Sequence, residues 1–239
     1  SDIAAMGGEP IACVISLGIP RDLNQAWIQK FYQGLIPLAE KYHTQCVGGD
    51  ISRSKEFFAS IAVLGRAHTN EIIFRRGAKA GDWIGVTGQL GGSILGKHFN
   101  FEPRLREAKF LAQHFRPNAM LDISDGLWQD LEHILIESKI GAAVDLAAIP
   151  VSQAAVKLAQ GNLQKALEHA LVDGEDFELL FTISAAKKIH LEREWKKHFL
   201  KTPLCWIGRI QTGQSKIDWI KKGKRVAAPQ IRKKGYTHF

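Results

Sequence analysis

Apolar positions along the chain change their period several times, and each change marks an element. Ile11 to Ile19 is dense in aliphatic and β-branched residues and stops at Pro20, which predicts a strand. From Leu23 to about His43 the spacing becomes helical: Trp27, Phe31, Leu35 and Leu38 fall on one face. Ahead of these, Ser1 to Gly8 reads as a helix end with glycine as its stop signal. Cys46 to Val47 is a short strand running into Gly48-Gly49-Asp50, and Phe57 to Ala67 is a long apolar strand. A polar stretch from His68, followed by Arg75-Arg76-Gly77-Ala78-Lys79-Ala80-Gly81-Asp82, puts a boundary near residues 70 to 80. Beyond it come a strand at Trp83 to Thr87, a glycine turn, and helical stretches near 91–98 and 104–115. Leu127 to Ser138 is an amphipathic helix, Ala142 to Leu146 a strand, and helices recur at about 152–159 and 163–171. Phe177 to Ile183 is a strand, 185–199 a helix, and Leu204 to Ile210 and Lys216 to Ile220 are strands. Strands mixed with helices in this way predict an α/β or α+β protein in two domains.

Composition narrows the class. The chain has 239 residues, 45% of them hydrophobic, enough for two modest domains with buried cores. Cys13, Cys46 and Cys205 are far apart, which excludes a disulfide scaffold or a zinc finger and fits a reducing, cytoplasmic setting. No apolar run approaches the ~20 residues that cross a bilayer, and no signal peptide is legible, so no membrane partner is expected. The chain begins at Ser1 without an initiator Met, as a fragment or processed protein does. The net charge of +8 raises the question of nucleic acid. Much of it lies after residue 214, in Lys216, Lys221, Lys222, Lys224, Arg225, Arg232, Lys233 and Lys234 against Asp218 alone. No aromatic residues interleave with these as stacking platforms, so a solvated surface is favoured and a nucleic-acid partner is not.

Four acidic segments sit beside glycines in turn-like places: Ser1-Asp2, Gly48-Gly49-Asp50, Leu121 to Leu127 (LDISDGL), and Asp173-Gly174-Glu175-Asp176. Carboxylates there are poorly placed for a core and well placed for a hard cation such as Mg²⁺, which takes oxygen ligands and substrate phosphates. Taken singly, each acid is more often a cap or turn former; Asp125 could simply cap the helix starting at Leu127. Four in one chain weaken that reading. Arg75, with Gly77 and the Gly81-Asp82 turn, offers a cation beside exposed backbone N–H groups, a combination suited to a nucleotide phosphate or to a plain interdomain loop. Gly88-Gln89-Leu90-Gly91-Gly92 has neither phosphate-loop signature, so a packing turn is favoured. The nine histidines show no catalytic or metal spacing.

In order and spacing, these segments resemble the thiamine-monophosphate kinase family. The resemblance is carried by Ser1 to Gly7, Gly48-Gly49-Asp50, Arg75 with Gly77-Ala78 and Gly81-Asp82, LDISDGL, and Gly174 to Thr182 (GEDFELLFT), and it runs to Gly235-Tyr236-Thr237-His238-Phe239. Hydrogenase maturation factors and selenophosphate synthetases of the same superfamily share the early aspartate and Gly-Gly-Asp, but differ at the last two motifs. The resemblance implies a two-domain synthetase-like fold. Residues 1–72 would be the remainder of an N-terminal, barrel-forming dimerisation domain and 73–239 a C-terminal α/β domain, with the active site in the cleft between them. It implies a homodimer with ATP and thiamine monophosphate as substrates and Mg²⁺ as cofactor. Asp2, Asp50, Asp122 and Asp125 would hold the metal. Gly49, Asp50, Arg75 and Ser124, with Tyr32, would contact ATP, while Glu175 and Tyr236 would contact the thiamine moiety.

Ile51 stands where the family usually has Thr, and Phe177 where Tyr is common. The family also carries a further N-terminal stretch with Gly-Asp-Asp and Ser/Thr-Thr-Asp metal ligands, which these 239 residues do not include. The implied reaction is direct in-line phosphoryl transfer from ATP to thiamine monophosphate, giving thiamine diphosphate. The alternative is a truncated, non-catalytic remnant or oligomerisation module of the same superfamily.

Overall fold

The structure, a computed structural model, describes residues 1–231. In chain order its helices and strands are α1 (Asp2–Ala5), β1 (Glu9–Ile19), α2 (Gln25–Lys41), β2 (Gln45–Arg53), β3 (Phe58–Arg66) and β4 (Trp83–Thr87). There follow α3 (Lys97–Asn100), α4 (Leu105–Phe110), β5 (Ala119–Asp122), α5 (Leu127–Ser138) and β6 (Gly141–Asp145). The last are α6 (Gln153–Leu158), α7 (Leu163–Val172), β7 (Leu179–Ile183), α8 (Ala185–His198), β8 (Leu204–Gln211), β9 (Ile217–Lys221) and β10 (Lys224–Val226). The chain is a mixed α/β protein that forms two compact units: Gly8–His68, and Ser1–Gly7 together with the chain from Thr69 onward.

The smaller unit is a three-stranded sheet in the order β2-β1-β3, with β1 parallel to β2 and antiparallel to β3. Strand β1 alternates as its sequence demands. Cys13, Ile15, Leu17 and Ile19 are buried and pack with Trp27, Ile28, Phe31, Tyr32 and Leu35 of α2. Asn24 starts that helix by accepting the Trp27 N–H at 3.1 Å. Leu38, expected on the packed face, is 56% exposed and lies outside the cluster that α2 forms with β1. The expected short strand at Cys46–Val47 is nine residues long and runs through the Gly-Gly-Asp segment, so Asp50 lies within a strand. Every residue of β2 and β3 is exposed. Apolar side chains are bare on both faces: Ile51, Ile61 and Val63 share the face of Ile15 and Leu17, and Phe58 and Leu64 the opposite one.

The larger unit is built on a seven-stranded sheet in the order β10-β9-β6-β8-β4-β7-β5, antiparallel except at β6–β9. Helices cover both faces. In β7, Leu180 belongs to the cluster under α5 and α7, whereas Leu179, Phe181 and Ile183 belong to the one under α1, α4 and α8. In β5, Leu121 and Met120 divide the same way. Burial on both faces explains why β7 reads as an unbroken apolar run. Strand β5 was not legible beforehand, because its four residues are too few to show a period. The stretch 91–98 is a 3₁₀ turn (Ser93–Leu95) followed by the short α3, and 104–115 is α4 continued by a π-helical turn (Leu111–Phe115).

Candidate functional site

Strand β5 ends at Asp122, and the chain then turns through Ser124, Asp125 and Gly126 into α5. Strand β7, its antiparallel neighbour, is entered through Gly174 to Glu178. The two loops are hydrogen-bonded to each other. Ile123 N–H donates to the Glu178 carbonyl, Glu175 N–H to the Ser124 carbonyl and Phe177 N–H to the Ile123 carbonyl, each at 2.8 Å. A Cβ on Gly174 would come within 2.5 Å of the Ser124 carbonyl oxygen, which is why glycine is needed there. The two segments most specific in the sequence thus form one rigid substructure, bringing Asp122, Ser124, Asp125 and Glu175 to the same end of the sheet.

Asp122 is not the solvated turn carboxylate that was expected. It is 6% exposed, and its Oδ2 has no hydrogen-bond partner. Burial, reinforced by the Asp2 carboxylate, raises its pKa above the ordinary carboxylate range. A buried, unpartnered oxygen beside a second acid is costly for the protein alone and suits a bound cation. Asp2 reaches this place because Ala4 and Ala5 of α1 pack in the cluster with Met120 and Ala108, and the Met6 carbonyl accepts the Ile73 N–H at 3.2 Å. Asp2, Arg75, Arg76, Met120, Asp122 and Glu137 are among the residues lining an open pocket of about 420 Å³. Asp2 and Asp122 are therefore brought together with Arg75.

Asp125 does not cap α5. The residue before the helix is Gly126, and the capping acceptor is Asp130, one turn inside it. Its Oδ2 accepts the N–H groups of Ser124, Asp125 and Gly126 at 3.0, 3.0 and 3.1 Å. Burial pushes Asp130 up to about 7, against those donors. Asp130 was missed by sequence reading; its only signal is a carboxylate on the apolar face of α5. Asp125 is left half-buried, with Gln129 Nε2 3.3 Å and His133 Nε2 3.9 Å from its Oδ2. Asp125, Asp130 and His133 hold their ligand atoms within 4.8 Å of one another, though Asp130 already serves the three N–H groups.

The exposed N–H groups expected near Arg75 are not available. Ser138 Oγ accepts from Gly77 and Ala78, and the Gly81 N–H donates to the Ile210 carbonyl. Arg75 itself is exposed. The glycine turn at 88–92 is indeed a packing turn: its Gly91 N–H donates to both oxygens of Asp176 and its Gly92 N–H to Asp173. Asp176, 1% exposed, is a core residue, contrary to the expectation for acids in such segments, and Glu178 is buried as deeply.

In the smaller unit, Asp50 pairs with Ser16 across β1–β2 and accepts the Ser52 hydroxyl at 2.6 Å. Gly49 has φ 153°, and a Cβ there would fall 1.8 Å from the Ile15 carbonyl oxygen, so no other residue fits. Tyr32 is half-buried against Phe31 at 5.4 Å, and burial raises its phenol pKa. Tyr236 lies outside the described residues.

The AIR synthase related protein, N-terminal domain, family matches residues 1–67. All of the chain aligns with the thiamine-monophosphate kinase of Rhodopirellula baltica at 35% identity, covering 73% of that protein. It aligns with that of Escherichia coli K12 at 33%, covering 77%. Among solved structures, thiamine-monophosphate kinase from Stenotrophomonas maltophilia K279a matches with a TM-score of 0.79 at 30% identity, over 94% of this chain and 76% of that one. AaThiL complexed with AMPPCP and TMP matches with a TM-score of 0.77 at 28% identity, over 99% and 76%. Relatives this similar over the whole chain leave one assignment: the chain belongs to the thiamine-monophosphate kinase family.

Proposed function

We propose that the protein transfers the γ-phosphoryl group of ATP to thiamine monophosphate, giving thiamine diphosphate and ADP. The observation that carries this reading is the hydrogen-bonded union of the Asp122–Gly126 and Gly174–Glu178 loops, in a chain aligned throughout with thiamine-monophosphate kinases. A relative solved with AMPPCP and TMP supports the choice of substrates. Asp2, Asp122 and Asp125 of the larger unit, and Asp50 of the smaller, are assigned to Mg²⁺; the orphaned Oδ2 of Asp122 fits that role. When bound, Mg²⁺ supplies charge neutralisation at the transferring phosphoryl group. The protein's own work is positioning. Arg75 meets phosphate charge, Gly49 and Ser124 offer backbone close to the nucleotide with Tyr32 beside it, and the exposed Glu175 carboxylate favours the cationic heterocycle of thiamine. A phosphate oxygen of thiamine monophosphate attacks the γ-phosphorus in line. The new P–O bond forms as the bond to the bridging oxygen of ADP breaks, and no protein nucleophile intervenes. Mixing the protein with ATP, Mg²⁺ and thiamine monophosphate should release ADP and thiamine diphosphate one for one, with no turnover on selenide or a carbamoyl donor. ADP release that ignores thiamine monophosphate would overturn the assignment.

A second copy of the chain is the proposed partner. On the sheet face turned away from α2, strand β3 exposes Phe58 and Leu64 at 52% and 53%, a surface that a second sheet would cover. Light scattering should give a dimer mass, and Leu64→Glu should weaken dimerisation by about tenfold or more, the equivalent of ~1.4 kcal/mol. A wild-type protein that is monomeric at every concentration rules this out.

A further inference from the structure

The Gly174–Glu178 loop is held more firmly than a turn requires. Glu175 and Phe177 both take left-handed backbone, at φ 52° each, which is uncommon without glycine and persists only where the surroundings enforce it. Backbone bonds to Ser124 and Ile123 and the Gly91 N–H on Asp176 hold part of the loop, and the side chains of one segment, Lys97 to Arg104, hold the rest. Lys97 Nζ donates to Glu178 Oε1 at 2.9 Å and stands 3.9 Å from Asp176 Oδ1. Arg104 grips the same Glu178 carboxylate with a two-pronged fork, Nε to Oε2 at 2.7 Å and Nη2 to Oε1 at 2.6 Å. Between these cations in sequence, Phe101 stacks on Phe177 with ring centroids 3.9 Å apart and 22° between planes.

The far side of Glu178 is tied down as well. Its Oε2 accepts the Thr87 hydroxyl at 2.8 Å, and Thr87 Oγ1 accepts the Leu179 N–H at 2.8 Å. Burial by itself would raise the Glu178 carboxyl, but Arg104 and Lys97 outweigh it and hold its pKa below the ordinary value. A charged group buried this deeply tolerates no shift of its partners. Within Gly174–Glu178, Glu175 alone is exposed.

We propose that the Lys97–Arg104 segment is a clamp that acts through Glu178 and Phe177 to hold Glu175 at the place where it meets the cationic heterocycle. Glu178 is on this view a positioning residue for substrate choice, and the ATP side of the reaction does not depend on it. The inference rests on the assignment of Glu175 to the thiamine moiety.

Steady-state kinetics on Glu178→Gln, Glu175→Gln and the double variant test it, with thiamine monophosphate and ATP varied separately. Each single variant should raise KM for thiamine monophosphate by ~10-fold to ~100-fold and leave KM for ATP within about twofold. In the Glu175→Gln background, Glu178→Gln should add nothing further, because it acts only through Glu175. Additive effects, or equal changes in both KM values, overturn the clamp and leave Glu178 a stability residue. Should Glu178→Gln fail to fold, Phe101→Ala leaves the ion network in place and must show the same selective rise. If Glu175→Gln alone raises KM for thiamine monophosphate, the clamp fails and the functional reading stands. If wild-type protein consumes ATP without regard to thiamine monophosphate, the functional reading itself has failed.

Discussion

Asp122→Ala is expected to lower kcat by ~10²-fold to ~10³-fold, about 3–4 kcal/mol of transition-state stabilisation, with little loss of thermal stability. The two parts of this expectation have one cause. In the folded protein Asp122 is buried beside Asp2 with an oxygen that nothing satisfies, so it destabilises the fold when ionised. Removing it relieves that cost while deleting a ligand position for the cation around which phosphoryl transfer is organised. A purely structural acid would behave in the opposite way, with a fall in melting temperature and an unaltered kcat. Measuring both on the same preparation decides the matter. If kcat stays near wild type while Mg²⁺ dependence is unchanged, Asp122 is not a metal ligand.

Asp130→Ala should act in the other direction, on stability first. One carboxylate oxygen satisfies three consecutive N–H groups at the start of α5, and alanine would leave them facing a small hole. A buried N–H without a partner costs about 1–3 kcal/mol, and water entering the hole recovers part of that, so a net loss of about 3 kcal/mol is expected. In a protein of this size that corresponds to a melting temperature lower by ~6–12 °C. The same three N–H groups set the path of the loop that carries Ser124 and Asp125, so the Mg²⁺ concentration for half-maximal activity should rise as well. Asp130→Asn keeps an acceptor oxygen and should restore most of the stability. An Asp130→Ala protein that melts with wild type would show that the three hydrogen bonds contribute nothing.

These two aspartates, eight residues apart, show what kind of information the primary structure holds. Asp122 was singled out because its setting is written locally: an acid next to a glycine-bearing turn, in a segment whose order of residues resembles one family. Asp130 was illegible because its partners are backbone groups, which carry no residue identity. Only the fold of the turn aims three of them at one oxygen. The acids of the Gly174–Glu178 segment divide the same way. Glu175 is exposed, as a turn-borne acid was expected to be, whereas Asp176, read as its equal, is a core residue, and so is Glu178, which was not singled out. Their cations and N–H donors come from Gly91, Lys97 and Arg104, more than seventy positions earlier, and no periodicity links such distant partners.

The amphipathic helices α2 and α5 and the apolar strands β1, β4 and β7 followed from residue pattern alone, since burial of one face or both is a property of consecutive side chains. The pattern also settled the α/β class, and the order of motifs settled the family. Tertiary structure alone decided the pairing of β5 with β7, the burial of Asp122, the approach of Asp2 through α1 and the loss of the free N–H groups near Arg75. Each of these depends on which backbone group or charge from elsewhere in the chain arrives beside a side chain. Electrostatic cost is set by that neighbourhood and by the depth of burial, not by the residue's own identity.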